Sequence, residues 1–296
     1  MKDSMVRLTL MDGQASVFLA TTQGIVDEAR RIHQMSPVCS AALGRTLSIG
    51  ALMGWMLKGE DDSLSVTIAG GGPAGKITVV AKPEGIVKGS IGRADVELPL
   101  RRDGKLDVGG AVGFDGDITV IRDLGLKEPY VGKVALASGE IGEDFATYFT
   151  LSEQQPSLVA AGVLVNPDET IRAAGGMIIH ALPGCGEDLI EQLELRSILY
   201  ADLSRHLDFY SSLEGMADAF FEGLNPVLQG KGTPTWRCGC SRERLERILL
   251  NLGREELSAL YREDGQAELC CHFCRTNYLF SGTDLQSLLS ELGGIP

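Results

Sequence analysis

No stretch of this sequence approaches the roughly 20 consecutive apolar residues that a membrane-spanning helix needs. The most apolar runs, Ile49–Leu57 and Leu158–Val165, stop far short of it, so no membrane partner is expected. The N-terminal MKDSMVRLTLMDG carries Asp3 and Asp12 and lacks the uninterrupted apolar stretch of a secretory signal. A cytoplasmic location is the expectation. Positive charge is also scarce: 27 lysines and arginines against 40 carboxylates leave a net −13. That balance argues against a chain whose main task is to grip phosphate backbones.

Catalytic signatures are missing as well. There is no Walker A loop, no HExxH and no G-x-S-x-G, and His33, His180 and His206 are scattered without evident partners. Gly70–Gly75, GGGPAG, fits G-x-G-x-x-G formally, but the strand-like Lys76-Ile-Thr-Val-Val follows where the dinucleotide fingerprint needs a helix. A turn between strands is the better reading. Glu140, Glu143 and Asp144 read as an acidic helix start that complements the helix dipole. No catalytic residue and no enzyme activity are expected. Internal repeats and low-complexity tracts are lacking too.

What is present is enough for a core: 44% hydrophobic and 23% charged residues. Val6–Met11 and Ala15–Thr22 around Asp12-Gly13 read as a hairpin. Helical patterning runs over Ile25–Met35 and, restarted by Pro37, through Leu57. Strand patterns follow at Leu64–Ala69, Lys76–Ala81, Gly85–Ile91, Ile118–Ile121 and Lys133–Ala137. A helix is expected near Ile141–Leu151, then a hairpin of Leu158–Val165 and Thr170–Ala181. This mixture predicts an α+β domain with a mixed sheet and helices over residues 1–183.

A helical linker is expected over residues 184–235. In it Leu189, Leu193, Ile198, Leu203, Leu207, Leu213, Met216 and Phe220 recur at helical spacing on two or three short helices. Its last part, Asn225–Thr235, has two prolines and two glycines and reads as a flexible connector. Residues 236–296 form a small C-terminal domain.

That last domain holds five of the seven cysteines. Cys238-Gly-Cys240 is followed, after 30 residues, by Cys271-His-Phe-Cys274. Two close pairs, each presented from a tight turn, supply four soft ligands for a tetrahedral Zn2+. The segment between them reads as helices Ser241–Leu252 and Arg254–Glu263, and the second pair lies in a hairpin knuckle within Glu268–Phe280. In a reducing compartment such clustering points to metal or redox chemistry before structural disulfides. A purely structural staple is the plain alternative. The Cys-x-Cys pair speaks for a switch, because cysteines two apart close only into a strained, easily reduced disulfide. Cys270 is read as a small core residue facing away from the site, His272 as solvent-facing, and Cys39 and Cys185 as isolated thiols, Cys39 buried.

Further motifs run along the chain. In the first domain these are Ala41-Ala-Leu-Gly-Arg45, Gly72-Pro73, Asp123-Leu-Gly125, Glu128-Pro-Tyr130, Ser138-Gly-Glu-Ile141 with Asp144, Ser152-Glu-Gln154 and Ala173-Ala-Gly-Gly176. In the tail they are Cys238-Gly-Cys-Ser241 and Cys271-His-Phe-Cys274 with Tyr278. Together they resemble the redox-regulated chaperone family called heat shock protein 33 over nearly the whole length. The linker matches mainly in helical character, and Cys270 lies outside the pattern.

The resemblance implies an ATP-independent holdase, kept folded and inactive by zinc on Cys238, Cys240, Cys271 and Cys274. It implies disulfides Cys238–Cys240 and Cys271–Cys274 on oxidation, zinc release, a homodimeric active form and unfolding proteins as clients. Two rivals are weaker. A zinc-ribbon adaptor for nucleic acid meets a tail with seven arginines and nine acidic residues, net −2. A CxxC oxidoreductase would need a thioredoxin-like helix start, not a hairpin.

Overall fold

A computed structural model describes Met1–Gly293. The chain begins with strands β1 (Ser4–Leu10) and β2 (Ala15–Thr21), then helices α1 (Gln23–His33) and α2 (Pro37–Trp55). Strands β3 (Ser63–Ala69), β4 (Ile77–Lys82) and β5 (Ile86–Ile91) lead to a short helix α3 (Val108–Val112). After β6 (Asp117–Asp123), β7 (Tyr130–Ala135) and α4 (Gly142–Leu151) come the long strands β8 (Ser157–Val165) and β9 (Ile171–Ala181). Helices α5 (Glu187–Leu195), α6 (Ser197–Tyr200), α7 (Leu203–Phe209) and α8 (Leu213–Phe220) precede β10 (Val227–Gly232) and β11 (Thr235–Trp236). The remaining elements are α9 (Arg242–Asn251), α10 (Arg254–Glu263), β12 (Ala267–Cys270), β13 (Asn277–Phe280) and α11 (Gly282–Gly293). The class is α+β. Two compact units divide at the Arg237/Cys238 bond.

The first unit is built on two sheets, ordered β10-β1-β2-β9-β8 and β11-β5-β4-β3-β6-β7. Helix α2 forms part of the core between them, and sixteen of its nineteen residues are buried. Ser36 caps it, its hydroxyl accepting from the Cys39 N–H at 3.4 Å, and Pro37 occupies the first turn. Sheet β3–β7 alternates buried and half-exposed residues, as expected of one covered face. The other sheet is covered on both faces, and every residue of β2 is buried. Phe18 and Ala20 point into the core with α2, whereas Val17 and Leu19 point the other way.

That second face carries the linker helices. Leu189, Leu193, Leu203, Leu207, Met216 and Phe220 join Val6, Leu8, Val17, Leu19, Met177 and Ile179 in a separate apolar cluster. Apart from Ile198 on the single-turn α6, which is exposed, the apolar stripe expected over Glu187–Leu224 is satisfied against a sheet, on four helices rather than two or three. The segment expected to be a flexible connector is ordered. β10 pairs antiparallel with β1, Met5 opposite Gly232 through Thr9 opposite Val227, with a bulge at Arg7/Leu8. Its sequence, VLQGKG, has no apolar alternation, and its partner lies more than 200 residues away in the chain. Glycine at position 232 suits this close passage: a Cβ there would stand 3.1 Å from Met5 Cε and 3.2 Å from the Trp55 ring, so a larger residue needs those side chains to shift by a few tenths of an ångström. The GGGPAG stretch is a turn between β3 and β4, as expected. Its glycines allow contact with the end of α3, where a Cβ on Gly72 would lie 2.4 Å from the Val112 carbonyl carbon.

The motif residues of this unit are largely structural. Arg45 Nη1 donates to Glu140 Oε2 at 2.6 Å, and Arg101 Nη1 to its Oε1 at 2.9 Å. Tyr130 Oη donates to the Ser152 carbonyl at 3.0 Å. Asp144 does far more than complement a dipole. Fully buried, it accepts backbone N–H bonds from Ala137, Ser138, Gly139 and Ile141 at 2.8–3.2 Å.

His180 on β9 is buried, edge-on to Phe18 and Phe149, with Nδ1 2.7 Å from Ser157 Oγ. Burial first, and then the Arg122 charge, push the imidazole down to about 4 from 6.5. Between those values the unfolded chain binds a proton that the folded chain refuses. Stability therefore falls as pH drops from about 6.5 to about 4, by up to roughly 3 kcal/mol for a shift of this size. Urea midpoints measured across this window should decline less in His180→Gln than in the parent protein. Parallel declines would mean that His180 does not titrate in this way.

Candidate metal centre

All four cysteines of the two pairs lie in the second unit. Cys238 and Cys240 occupy the extended entry to α9, where Ser241 caps the helix by accepting from the Arg244 N–H at 3.3 Å. Gly239 between them has open space around it. Cys271 and Cys274 sit in the turn joining β12 to β13, whose register runs from Ala267 opposite Phe280 to Cys270 opposite Asn277. The turn is closed by Arg275 N–H to Cys271 O at 2.8 Å and Cys271 N–H to Thr276 O at 3.0 Å, with Arg275 at φ +56°. The hairpin knuckle and both intervening helices are thus where the spacing puts them, and Gly253 at φ +87° separates α9 from α10.

These turns bring the sulfurs together. Cys238 Sγ is 3.6 Å from Cys271 Sγ, Cys240 Sγ is 3.3 Å from Cys274 Sγ, and all four lie within 4.8 Å of one another. A tetrahedron with Zn–S bonds of about 2.3 Å has sulfur–sulfur edges of roughly 3.8 Å, so the donor set fits that ion. Four sulfurs and no oxygen donor suit a soft or borderline cation rather than calcium or magnesium. Two hydroxyls stand just outside: Tyr278 Oη at 3.2 Å from Cys240 Sγ and Thr276 Oγ1 at 3.2 Å from Cys274 Sγ. Such outer groups orient and tune thiolate ligands.

The thiols are electrostatically unequal. Burial pushes Cys238 up to about 12 and raises Cys240 as well. Burial also opposes ionisation of Cys274, but hydrogen bonds from Thr276, Cys240 and Cys271 outweigh it and bring Cys274 down to about 6. The protein thus opposes ionisation at Cys238 and Cys240 and favours it at Cys274; four thiolates together require a cation's charge. The apolar core of the unit is small, with Leu245, Leu250, Tyr261, Leu269, Tyr278, Leu289 and Leu292 packed half-buried around it. Its buried apolar cluster comprises Leu249, Leu257, Ala267, Phe280, Leu285 and Leu288. Arg242 lies over the Phe280 ring at 4.4 Å and bridges Asp284 at 2.8 Å.

The remaining cysteines stay apart from the cluster. Cys39 is buried, its thiol 3.3 Å from the Arg93 carbonyl, and Cys185 is half-buried in its loop. Cys270 is exposed, correcting the expectation of a core position: on β12 Ala267 and Leu269 face inward, which turns Glu268 and Cys270 outward. His272 faces solvent, as expected. The Tyr278 and Thr276 hydroxyls could not be assigned to the site from spacing alone.

Comparison with known proteins places this geometry. A family model described as "Hsp33 protein" matches residues 3–281. A 33 kDa chaperonin of Alkaliphilus metalliredigens is 45% identical over 292 residues, covering 99% of this chain and 100% of that protein. One of Clostridium tetani is 44% identical over 290 residues, covering 98% of each. The crystal structure of the 33 kDa chaperonin (heat shock protein 33 homolog) from Thermotoga maritima superposes with a TM-score of 0.89 at 32% identity, covering 98% of this chain and 99% of that one.

Proposed function

This chain belongs to the Hsp33 family and is a chaperone, and from that premise we propose that it is an ATP-independent holdase switched by the Cys238, Cys240, Cys271 and Cys274 cluster. The observation that carries the reading is the convergence of these four sulfurs within 4.8 Å in a unit with six buried apolar side chains among its described residues. In the reduced protein the four thiolates are the ligands of one Zn2+. The bound ion supplies the charge that lets them share a site, and on the order of 10–16 kcal/mol of folding free energy.

A peroxide is the natural oxidant class for such thiolates. Cys238 closes on Cys240 and Cys271 on Cys274. Each pair forms one S–S bond and gives up two electrons, and with two protons these cleave the O–O bond of hydrogen peroxide to give two molecules of water. Disulfide sulfurs are no longer thiolate ligands, so the site is lost and the small apolar cluster is left alone to hold its unit. A core of that size does not suffice.

Loss of order then spreads into residues 184–235, the linker between a 1–183 core and the 236–296 switch. Its Leu, Phe and Met side chains leave the sheet and bind unfolding clients by apolar burial, at roughly 25 cal/mol per Å². The active form is a homodimer acting in the cytoplasm, with neither nucleic acid nor membrane as partner.

Light scattering from a chemically unfolded client tests this. The oxidised protein is expected to suppress aggregation, the reduced zinc form to do so weakly, and re-reduction with zinc to restore the weak state. Equal protection by reduced and oxidised protein would leave the cysteines as a staple and end the switch reading.

A further inference from the structure

The linker helices carry a charge that the holdase reading does not use. Residues 187–224 contain nine carboxylates and two arginines, a net −7 out of −13 for the whole chain. Both arginines are spent inside the segment. Arg196 donates to the carbonyls of Phe220 and Glu222 at 3.0 and 2.9 Å, and Arg205 stands 3.7 Å from Asp202.

Three of the segment's carboxylates pair with cations that lie outside residues 187–224. Asp202 meets Lys105 at 2.8 Å, Asp208 meets Arg172 at 2.7 Å and Glu214 meets Lys231 at 2.6 Å. Docked, the segment thus recognises a surface of apolar side chains interspersed with lysine and arginine. Glu187, Asp188, Glu191, Glu194, Asp218 and Glu222 have no ion-pair partner among the described residues. On the outward side they flank apolar groups: Glu187, Glu191 and Glu194 stand three or four positions from Ile190, Leu195 and Ile198. Of these, Leu195 is 71% and Ile198 81% exposed.

Resting on the holdase reading, we infer that this segment selects unfolding polypeptides of net positive charge, whose apolar stretches are interleaved with lysine and arginine. Once released, Asp202 and Asp208 lose Lys105 and Arg172, which stay on the core, and the segment presents its apolar stripe amid nine carboxylates. A client that replaces the sheet must supply what the sheet supplied. An acidic client buries the same apolar area but brings like charge against the carboxylates.

The test uses full-length oxidised protein and two chemically unfolded clients of similar size, one strongly basic and one strongly acidic. At low salt, half-protection of the basic client should need roughly five-fold less chaperone than the acidic one. The preference should vanish near 0.5 M salt, where the screening length is only about 4 Å. The exposed-site variant Glu187→Gln/Glu191→Gln/Glu194→Gln should lose most of it, while Glu60→Gln/Glu84→Gln/Glu97→Gln, with the same charge change elsewhere, should keep it. Equal protection of both clients overturns the inference and leaves the holdase standing, as does an equal effect of the two triple variants, which would assign the preference to overall charge. Protection of neither client overturns both.

Discussion

Chelating zinc from the reduced protein is expected to unfold the chain from Cys238 onward while the two sheets of the first unit survive. Among the described residues, the unit beyond Arg237 buries six apolar side chains. A core of that size does not order a domain by itself. A bound metal adds on the order of 10–16 kcal/mol of folding free energy, which chelation removes.

Limited proteolysis should therefore proceed in steps. Cleavage comes first beyond Arg237, later within the linker helices, and leaves a resistant fragment ending near Pro183–Gly184. Elemental analysis of the reduced parent should find one zinc per chain, and Cys238→Ser/Cys271→Ser should have lost it. Zinc undiminished in that variant would remove these residues as ligands. Uniform digestion of the whole chain after chelation would show that the sheets depend on the metal too.

Asp144→Ala should be among the most damaging single changes in the first unit. Its two carboxylate oxygens accept four backbone N–H groups from the turn Ala137–Ile141, and Ile141 is held at φ +72°. A methyl group leaves those donors without acceptors in a dry interior. Each unsatisfied buried donor costs about 1–3 kcal/mol, and partial relaxation brings the expected loss to about 4–5 kcal/mol. Asp144→Asn should be milder. Its amide oxygen can keep the bonds from Ala137, Ser138 and Gly139, while its NH2 confronts the Ile141 N–H. Chemical denaturation of the first unit, followed by tryptophan fluorescence from Trp55 and Trp236, would check both. A loss below about 1 kcal/mol for the alanine variant would mean that the turn reorganises around water.

The sequence made the site more legible than the linker. Cysteine spacing is local, so a turn of two or three residues fixes each pair, and the intervening helices and hairpin carry their own caps and glycines. The β1–β2 hairpin, α1, α2, α4 and strands β3–β9 also follow from local patterning. The placement of β10 does not. Its glycines suit close passage by Met5 and Trp55, residues that no local window contains. The wider role of Asp144 is hidden for the same reason. A carboxylate in a first helical turn has a sufficient local explanation, and its role in holding the preceding turn emerges only once that turn is folded. Cys270 was misplaced because β12 is four residues long, too short for alternation to reveal which side faces in.

The pairing of β10 with β1 also bears on what a released linker leaves behind. With β10 seated, β1 is an interior strand, hydrogen-bonded on both sides. Without it the sheet shrinks from five strands to four, and β1 becomes a border with open N–H and C=O groups along Met5–Thr9. Arg7 is the one charged residue on that strand, and it contains no proline, so little blunts the border against another extended chain. Undocking the linker thus creates two adhesive features of different kinds: a face that is indifferent to sequence direction, and an edge that accepts backbone only in strand register.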